Sequence, residues 1–302
     1  MNSSEITRLL NDTVDLLSQT STMKGLCRRH RHGDPLPSGQ VLAEVIDLCR
    51  AVLFPGYYGK SVVNADTVLY TIGVSVERLF FLLRHQIEAG LCFENDDDSD
   101  QAHADMHLRA RSMAAELIRR LPGIRAVLST DVEAAYLGDP AAGSFGEVIS
   151  CYPVIKALTN YRVAHELYLI GVPLLPRILT ERAHSETGID IHPAAQIGKH
   201  FTIDHGTGVV IGATSIIGDN VKLYQGVTLG ARSFPLDENG NPIKNIPRHP
   251  ILEDDVIVYS NASILGRIRI GKGAVIGGNI WVTEDVPPGA RIQQHRNSPK
   301  QN

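Results

Sequence analysis

The second half of the chain contains a histidine and an aspartate, fifteen residues apart, that together could transfer a proton. His205 lies in the segment 203–208 and Asp190 in the segment 188–193. A carboxylate beside an imidazole holds the ring in one tautomer and stabilises its protonated form. In a β-helix built from six-residue repeats, one coil takes three repeats, or about 18 residues. Residues 190 and 205 can therefore lie on neighbouring coils of such a structure, where His205 would be a general base.

A cationic side chain follows in the segment 231–250, which contains a turn-rich stretch at 237–242. The segment closes with Arg248, His249 and Pro250. Arginine presents a planar fork of donors that matches a carboxylate. Spacing alone leaves these assignments as hypotheses, because a loop histidine more often serves as a structural hydrogen-bonding group.

Aliphatic residues recur at every sixth position after Thr187 and predict the element that positions these side chains. Because six is an even number, a strand keeps them all on one face, while the intervening Gly, Asp, Asn, Ala and Ser suit turns. This period is typical of a parallel β-helix, in which each coil covers the apolar face of the next. The series is Ile191, Ile197, Ile203, Ile211, Ile217, Leu223, Leu229, Leu252, Val258, Ile264, Ile270, Ile276 and Val282.

The six-residue period is interrupted twice. Two extra residues follow Ile203, near His205, and about seventeen follow Leu229, near Arg248. An insertion leaves a solenoid as a loop from one corner, and such loops commonly carry function. The alternative is a sandwich of ordinary strands, but those should alternate and return by hairpin turns at about 8–12 residue spacing, which the sequence does not show.

The first half has helical spacing instead. From Ser4 to about His184, apolar residues recur three and four positions apart. Glycine and proline punctuation predicts the ends of roughly six to eight helices, with stops at Gly90 and at Pro122-Gly123. The sequence thus predicts an α+β fold with an N-terminal α-helical domain over residues 1–186, a β-helical domain over 187–290 with an inserted loop at 231–250, and a polar C-terminal tail over 291–302.

Composition limits the class of protein. The chain has 302 residues, 43% of them hydrophobic, and a net charge of −4. Because no broad positive field is present, nucleic acid and anionic membranes are not expected partners, and a small-molecule substrate is. No secretory signal or membrane span is predicted, and the cysteines lack the spacing of a disulfide scaffold. We therefore expect a cytoplasmic protein with reduced thiols.

Four motifs in the second half resemble those of serine O-acetyltransferases, in the same order and at compatible separations. They are DIHPAAQIG (190–198), DHGTG (204–208), GVTLG (226–230) and RHP (248–250). The resemblance covers about residues 130–285, with the looser GDP (138–140) and YRVAHELY (161–168) before the β-helix. It implies a left-handed β-helix of hexapeptide repeats that transfers acetyl from acetyl-CoA to L-serine in cysteine biosynthesis.

The resemblance also implies a role for each matching residue. His205 would take the proton of the serine hydroxyl and Asp190 would orient its ring, with direct attack on the thioester. His192 resembles a supporting residue. The set that binds the amino acid would be Asp139 and Asp204 for the ammonium, Arg248 for the carboxylate and His249 as a further contact. The β-helix of each chain would form a three-sided prism. CoA would lie in a groove between neighbouring prisms, near Gly230, Ala231, Ser260 and Gly278.

Other implications concern ligands and assembly. Acetyl-CoA is expected as a co-substrate and no metal is expected. L-cysteine should fit the serine pocket, and the resemblance suggests that it is a feedback inhibitor. The open faces of the prism suggest a homotrimer with shared sites, or a dimer of trimers.

The chain also departs from the usual pattern of the family. Its loop before Arg248 is longer than in many relatives, and Tyr259-Ser260 stands where small residues are frequent. Relatives that end in isoleucine can dock into the sulfhydrylase that uses O-acetylserine. This chain ends in Pro299-Lys300-Gln301-Asn302, so such docking is not expected.

Two other enzyme classes share a prism with histidines. A zinc-dependent carbonic anhydrase is compatible with His200 and His205, but its third ligand would fall near His165, in a segment that is predicted to be helical. An acetyltransferase for a sugar or an antibiotic would not need the set of Asp139, Asp204 and Arg248. A catalytically silent scaffold would be expected to lack the Asp190 and His205 pair.

Overall fold

The computed structural model describes residues 1–23, 36–59, 63–95, 97, 99–244 and 246–293. The chain divides into two units, Met1–Pro35 and Leu36–Asn302. In the first unit, α1 (Ser3–Ser18) begins with a capping box between Asn2 and Glu5, and a 3₁₀ turn follows at Thr20–Met23. Within the described residues, no helix is long and apolar enough to cross a membrane.

Helices fill the first part of the second unit. In the described ranges they are α2 (Gly39–Leu53), α3 (Val68–Glu94), α4 (Asp100–Gly138), α5 (Phe145–Cys151), α6 (Pro153–Ile170) and α7 (Leu175–Thr187). Ser38, Ser99 and Ser144 each accept a hydrogen bond from a backbone N–H of the first turn that follows, which gives α2, α4 and α5 side-chain N-caps. The helices α4, α6 and α7 contact the first strands of the β-helix.

Two predicted helix ends are wrong. α3 continues through Gly90 and α4 continues through Pro122. Gly90 marks a close approach, because a Cβ atom there would lie 2.9 Å from Leu175 Cδ1 and 3.1 Å from the carbonyl oxygen of Pro173. Buried side chains continue on both sides of Pro122. This packing offsets the interior proline, which costs a helix roughly 3 kcal/mol.

The second half forms a parallel β-helix, as the six-residue period predicts, and it is left-handed, as the family resemblance implies. Its strands are β1 (Asp190–Ile191), β2 (Gln196–Ile197), β3 (Thr202–Asp204), β4 (Val210–Ile211), β5 (Ile216–Ile217), β6 (Lys222–Tyr224), β7 (Thr228–Gly230), β8 (Ile251–Leu252), β9 (Ile257–Val258), β10 (Ser263–Leu265), β11 (Arg269–Ile270), β12 (Val275–Ile276), β13 (Trp281–Val282) and β14 (Arg291–Ile292). They form three parallel sheets: face 1 (β1-β4-β7-β10-β13), face 2 (β2-β5-β8-β11) and face 3 (β3-β6-β9-β12-β14).

The aliphatic residues of the period form the core of the prism. Ile191 aligns with Ile211 and Leu229 on face 1, and equivalent columns run through the other two faces. All thirteen residues of the series are buried. The even period therefore places one apolar side chain from each strand into the interior of its coil.

The predicted domain limits stay a prediction, because helices α2–α7 and the prism belong to one unit. α7 ends at Thr187 and β1 begins at Asp190. At the other end, β14 pairs with β12 at residues 291–292, inside the segment predicted as tail. The rest of that tail, from residue 294, lies outside the described residues.

Candidate active site

His205 lies at the edge where the chain passes from face 3 to face 1. Residues 205–208, 225–226, 260–261 and 278–279 form this edge in successive coils, joined by backbone hydrogen bonds, and we call it the His205 edge. The two extra residues after Ile203 widen the corner here. His205 has a φ of 56°, and its side chain is 78% exposed. Its ring is therefore open to a ligand and does not face the interior of the prism.

Asp190 lies on face 1 beside the same edge. It is the first residue of β1 and is half-buried, and two residues before it the carbonyl oxygen of Gly188 accepts a hydrogen bond of 2.9 Å from Gly208 N–H. The backbone before Asp190 is thus in contact with the backbone after His205. The structure places no hydrogen bond or ion pair between Asp190 and His205, both of which it describes. The nearest acidic contact of His205 is Asp204, with 3.8 Å between Nε2 and Oδ1. The orienting role of Asp190 stays a prediction.

Asp139 and Asp204, the two carboxylates predicted to hold the ammonium, lie near one another. Asp139 follows α4, and its Oδ2 accepts a hydrogen bond of 2.5 Å from the Tyr152 hydroxyl. This bond and a second from Ala141 N–H lower the pKa of Asp139 below its usual value. Asp204 ends β3, and its Oδ2 lies 3.3 Å from Lys222 Nζ. The two carboxylates make an anionic region beside His205.

Arg248 lies at a different edge, where the chain passes from face 1 to face 2. Residues 192–195, 212–215, 266–267 and the loop 231–250 form this edge, which we call the Arg248 edge. Arg248 is half-buried, its guanidinium carbon lies 5.7 Å from the ring centroid of Phe234, and its backbone N–H donates 2.9 Å to Thr214 Oγ1. It lines an open cavity with His192, at the junction of α6 and face 2.

His249 is held next to Arg248 as a neutral ring. Its Nδ1 accepts a hydrogen bond of 3.0 Å from Thr214 N–H, and a Cβ atom on Gly212 would overlap the ring. Burial, with help from Arg248 and Arg267, lowers the pKa of His249 to about 4. The ring is therefore neutral near pH 7, with its proton on Nε2, and carries a neutral hydrogen-bond donor instead of a charge. Burial also lowers the pKa of His192 to about 4.

Comparison with known proteins identifies the family. The chain is 47% identical over 290 residues to a plasmid-encoded serine acetyltransferase of Synechococcus elongatus, across 94% of this chain and 90% of that relative. The chain belongs to the serine acetyltransferase family. No model of a known protein family matches it.

Solved structures of serine acetyltransferases have the same fold. One from Entamoeba histolytica, in complex with L-cysteine, has a TM-score of 0.73 and 35% identity, covering 83% of this chain and 86% of that one. One from Neisseria gonorrhoeae, in complex with serine, has a TM-score of 0.54 and 26% identity, covering 86% and 97%. The prediction of the family from the motifs is therefore confirmed.

The four residues predicted to contact CoA are divided between the two edges. Ser260 and Gly278 stack at the His205 edge, where Asn279 N–H donates 2.9 Å to Ser260 O. Gly230 ends β7 and, with Ala231, lies at the Arg248 edge. The first pair lies on the same edge of the prism as His205, in later coils. The second pair lies across face 1 from His205, and contact of either pair with CoA stays a prediction.

The YRVAHELY motif joins helix α6 to the first coil. Tyr161 donates from its hydroxyl to Ala195 O at 2.6 Å, and Arg162 donates to the carbonyl oxygens of Ile197 and Gly198 at 2.6 Å each. Arg162 also forms a buried ion pair with Asp131 of α4. The motif therefore fixes the coil that leads into Asp204 and His205.

The carbonic anhydrase alternative needs three ligands in one place. Among the described residues, no three His, Cys, Asp or Glu side chains gather as a candidate metal site. His165 lies in α6, as predicted from its segment, with Nδ1 2.7 Å from Pro193 O. No observation on the described residues therefore favours the zinc alternative.

Two residues that contact the predicted carboxylates were not predicted from the sequence. They are Lys222, beside Asp204, and Tyr152, which donates to Asp139. The signal for Lys222 was available, because it precedes the inward-facing Leu223 and must point outward beside β3. In the structure it pairs in register with Thr202, two residues before Asp204. Tyr152 has no such signal, because it follows α5 as its C-cap and reaches Asp139 only through the packing of the helices.

Proposed function

We propose that the protein transfers the acetyl group of acetyl-CoA to the hydroxyl of L-serine, giving O-acetyl-L-serine and CoA in cysteine biosynthesis. The observation that carries this proposal is the 47% identity to a serine acetyltransferase across 94% of the chain. The exposed His205 and the carboxylates beside it support it, since they supply a base and an ammonium subsite. We also propose a location in the cytoplasm.

In the proposed mechanism His205 takes the proton of the serine hydroxyl as its oxygen attacks the thioester carbonyl. The carbon–sulfur bond then breaks, and the protonated His205 gives its proton to the CoA sulfur. Because serine itself attacks the thioester, no acyl-enzyme forms. Asp190 would stabilise the protonated ring. Asp139 and Asp204 would hold the ammonium of serine, while Arg248 and a neutral His249 would hold its carboxylate. Positioning and proton transfer together account for the rate.

Acetyl-CoA is proposed as the co-substrate, with no metal. Ser260 and Gly278 would contact its pantetheine arm along the His205 edge, and Gly230 and Ala231 would do so from the Arg248 edge. L-cysteine carries the same ammonium and carboxylate as serine, so we propose that it binds the same subsite as a feedback inhibitor. No docking to the sulfhydrylase through the C-terminus is proposed, and the terminal residues lie outside the described part of the chain.

The decisive experiment measures CoA release from acetyl-CoA with a thiol reagent, with and without L-serine. We expect release to depend on serine and to produce O-acetylserine in equal amount. Glucosamine and an aminoglycoside serve as control acceptors, because an acetyltransferase for sugars or antibiotics would prefer them. Release that does not respond to serine would reject the proposal.

The positions of the two edges favour a site shared between chains. His205 and Arg248 lie at opposite edges of face 1, a six-residue side that spans roughly 20 Å at about 3.3 Å per residue. A single serine cannot contact both. We therefore propose a homotrimer in which the His205 edge of one chain meets the Arg248 edge of the next, with the helices available to pair two trimers.

Mixed assemblies test the shared site. We expect the His205→Ala and Arg248→Ala variants to be nearly inactive alone. After they are unfolded together and refolded at equal amounts, about a quarter of the sites should join an intact His205 edge to an intact Arg248 edge and regain activity. The control is the two variants mixed without unfolding. Activity that stays at the level of the single variants would show that each chain builds its own site.

A further inference from the structure

Lys222 holds its ammonium where an amine ligand is expected. Its Nζ donates 2.6 Å to Gly138 O, lies 3.3 Å from Asp204 Oδ2 and lies 4.6 Å from the ring centroid of Tyr224. The side chain is 16% exposed. A carbonyl, a carboxylate and an aromatic face are the partners that proteins use for bound amines. Lys222 is thus a fixed cation inside an anionic region.

The same ammonium lies beside the second carboxylate. Gly138 is followed by Asp139, and the positive charge of Lys222 contributes, after the hydrogen bonds from Tyr152 and Ala141, to the low pKa of Asp139. Burial opposes the charge on Lys222, but Tyr224 and Asp204 raise its pKa above the usual value. At pH 7 the lysine is therefore charged, and with the two formal negative charges of Asp139 and Asp204 the three groups carry a net charge of −1.

We propose that Lys222 sets the affinity and specificity of the site for the substrate amine by compensating one of the two carboxylates that bind it. The inference rests on the proposed function. Two carboxylates without a counter-charge repel one another and favour protonation. With Lys222 present, the ammonium of serine meets one net negative charge instead of two. The lysine thus weakens the binding of serine. It also lets a ligand without an amine bind through its carboxylate to Arg248 and His249.

Replacement of Lys222 by methionine keeps the apolar stem and removes the charge. We expect KM for serine to fall about fivefold or more, because a positive charge next to the carboxylate that would bind the ammonium is lost. 3-Hydroxypropanoate carries the hydroxyl and carboxylate of serine without the ammonium. As a competitive inhibitor against serine, it should bind several-fold more weakly to the variant. The two ligands thus change in opposite directions.

Matched variants separate charge from structure. Lys222→Arg changes the shape of the cation but keeps its charge, so KM for serine should stay within about twofold of the wild type. Lys199→Met removes an exposed lysine of the same prism and should change neither constant. KM for acetyl-CoA should be unchanged in all of them. If Lys222→Met fails to fold, Lys222→Gln removes the charge and keeps a donor for Gly138 O, with the same expectation.

The opposite shifts of the two ligands decide the question. A loss of affinity for both serine and 3-hydroxypropanoate would show that Lys222 only positions the carboxylates, and unchanged constants would show that its charge is irrelevant. Either result overturns the inference while the proposed function stands, since the wild type still releases CoA with serine. A wild type without serine-dependent release would overturn both.

Discussion

Replacement of His205 by alanine should lower the rate of serine-dependent CoA release about 10²-fold or more, because a positioned general base contributes roughly 10²–10⁴ to a rate. The ring is the exposed imidazole beside Asp139 and Asp204. The variant should fold normally, since the side chain makes no buried contact and is 78% exposed. The measurement is the initial rate at saturating acetyl-CoA and serine, with the melting temperature recorded in parallel.

His200 provides the matched control. It also occupies a corner of the prism with a φ of 56°, but it lies five residues earlier, between face 2 and face 3. Its backbone N–H donates to Thr130 Oγ1, so alanine keeps that bond. His200→Ala should retain nearly full activity. Equal losses in the two variants, or a loss below tenfold for His205→Ala, would contradict the assignment of His205 as the base.

The prism was predictable because its signal is repeated. Each coil contributes one buried aliphatic residue per strand, so thirteen positions report the same period, and a loop can interrupt the series without changing its register. The two interruptions then pointed to His205 and Arg248. Their separation at opposite edges of face 1 follows once the coils are assigned to faces, because each corner has a fixed place in the six-residue register.

The helical half was less predictable because tertiary packing decides its local features. Helix propensity predicts that helices end at Gly90 and Pro122, yet both helices continue there because the buried side chains around these residues pack against their neighbours. Tyr152 reaches Asp139 only because α5 packs beside the end of α4. Such contacts join residues that share no period, so a single sequence gives no register from which to derive them.

The region around the site contains a buried ion pair between α4 and α6, and the loss of either charge would leave the other buried without a partner. Arg162 contacts both carboxylate oxygens of Asp131 at 3.1–3.2 Å, and Asp131 is fully buried. Asp131 also accepts a hydrogen bond of 3.0 Å from Phe201 N–H, immediately before β3. Although Arg162 opposes it, burial raises the pKa of Asp131 to about 6. The pair is therefore ionised at pH 7.5.

Asp131→Ala should lower the free energy of unfolding at pH 7.5 by about 3–5 kcal/mol, because it leaves Arg162 buried without its counter-charge. Chemical denaturation measures the loss. Glu133→Ala, at an exposed position of the same helix, is the control and should change stability by less than about 0.5 kcal/mol. The double variant Asp131→Leu with Arg162→Met should recover much of the loss, since an apolar pair of similar volume removes the buried charge altogether. A loss below about 1 kcal/mol for Asp131→Ala would mean that the carbonyl oxygens of Ile197 and Gly198 suffice to hold Arg162, and that the ion pair does not hold α4 and α6 to the coil before His205.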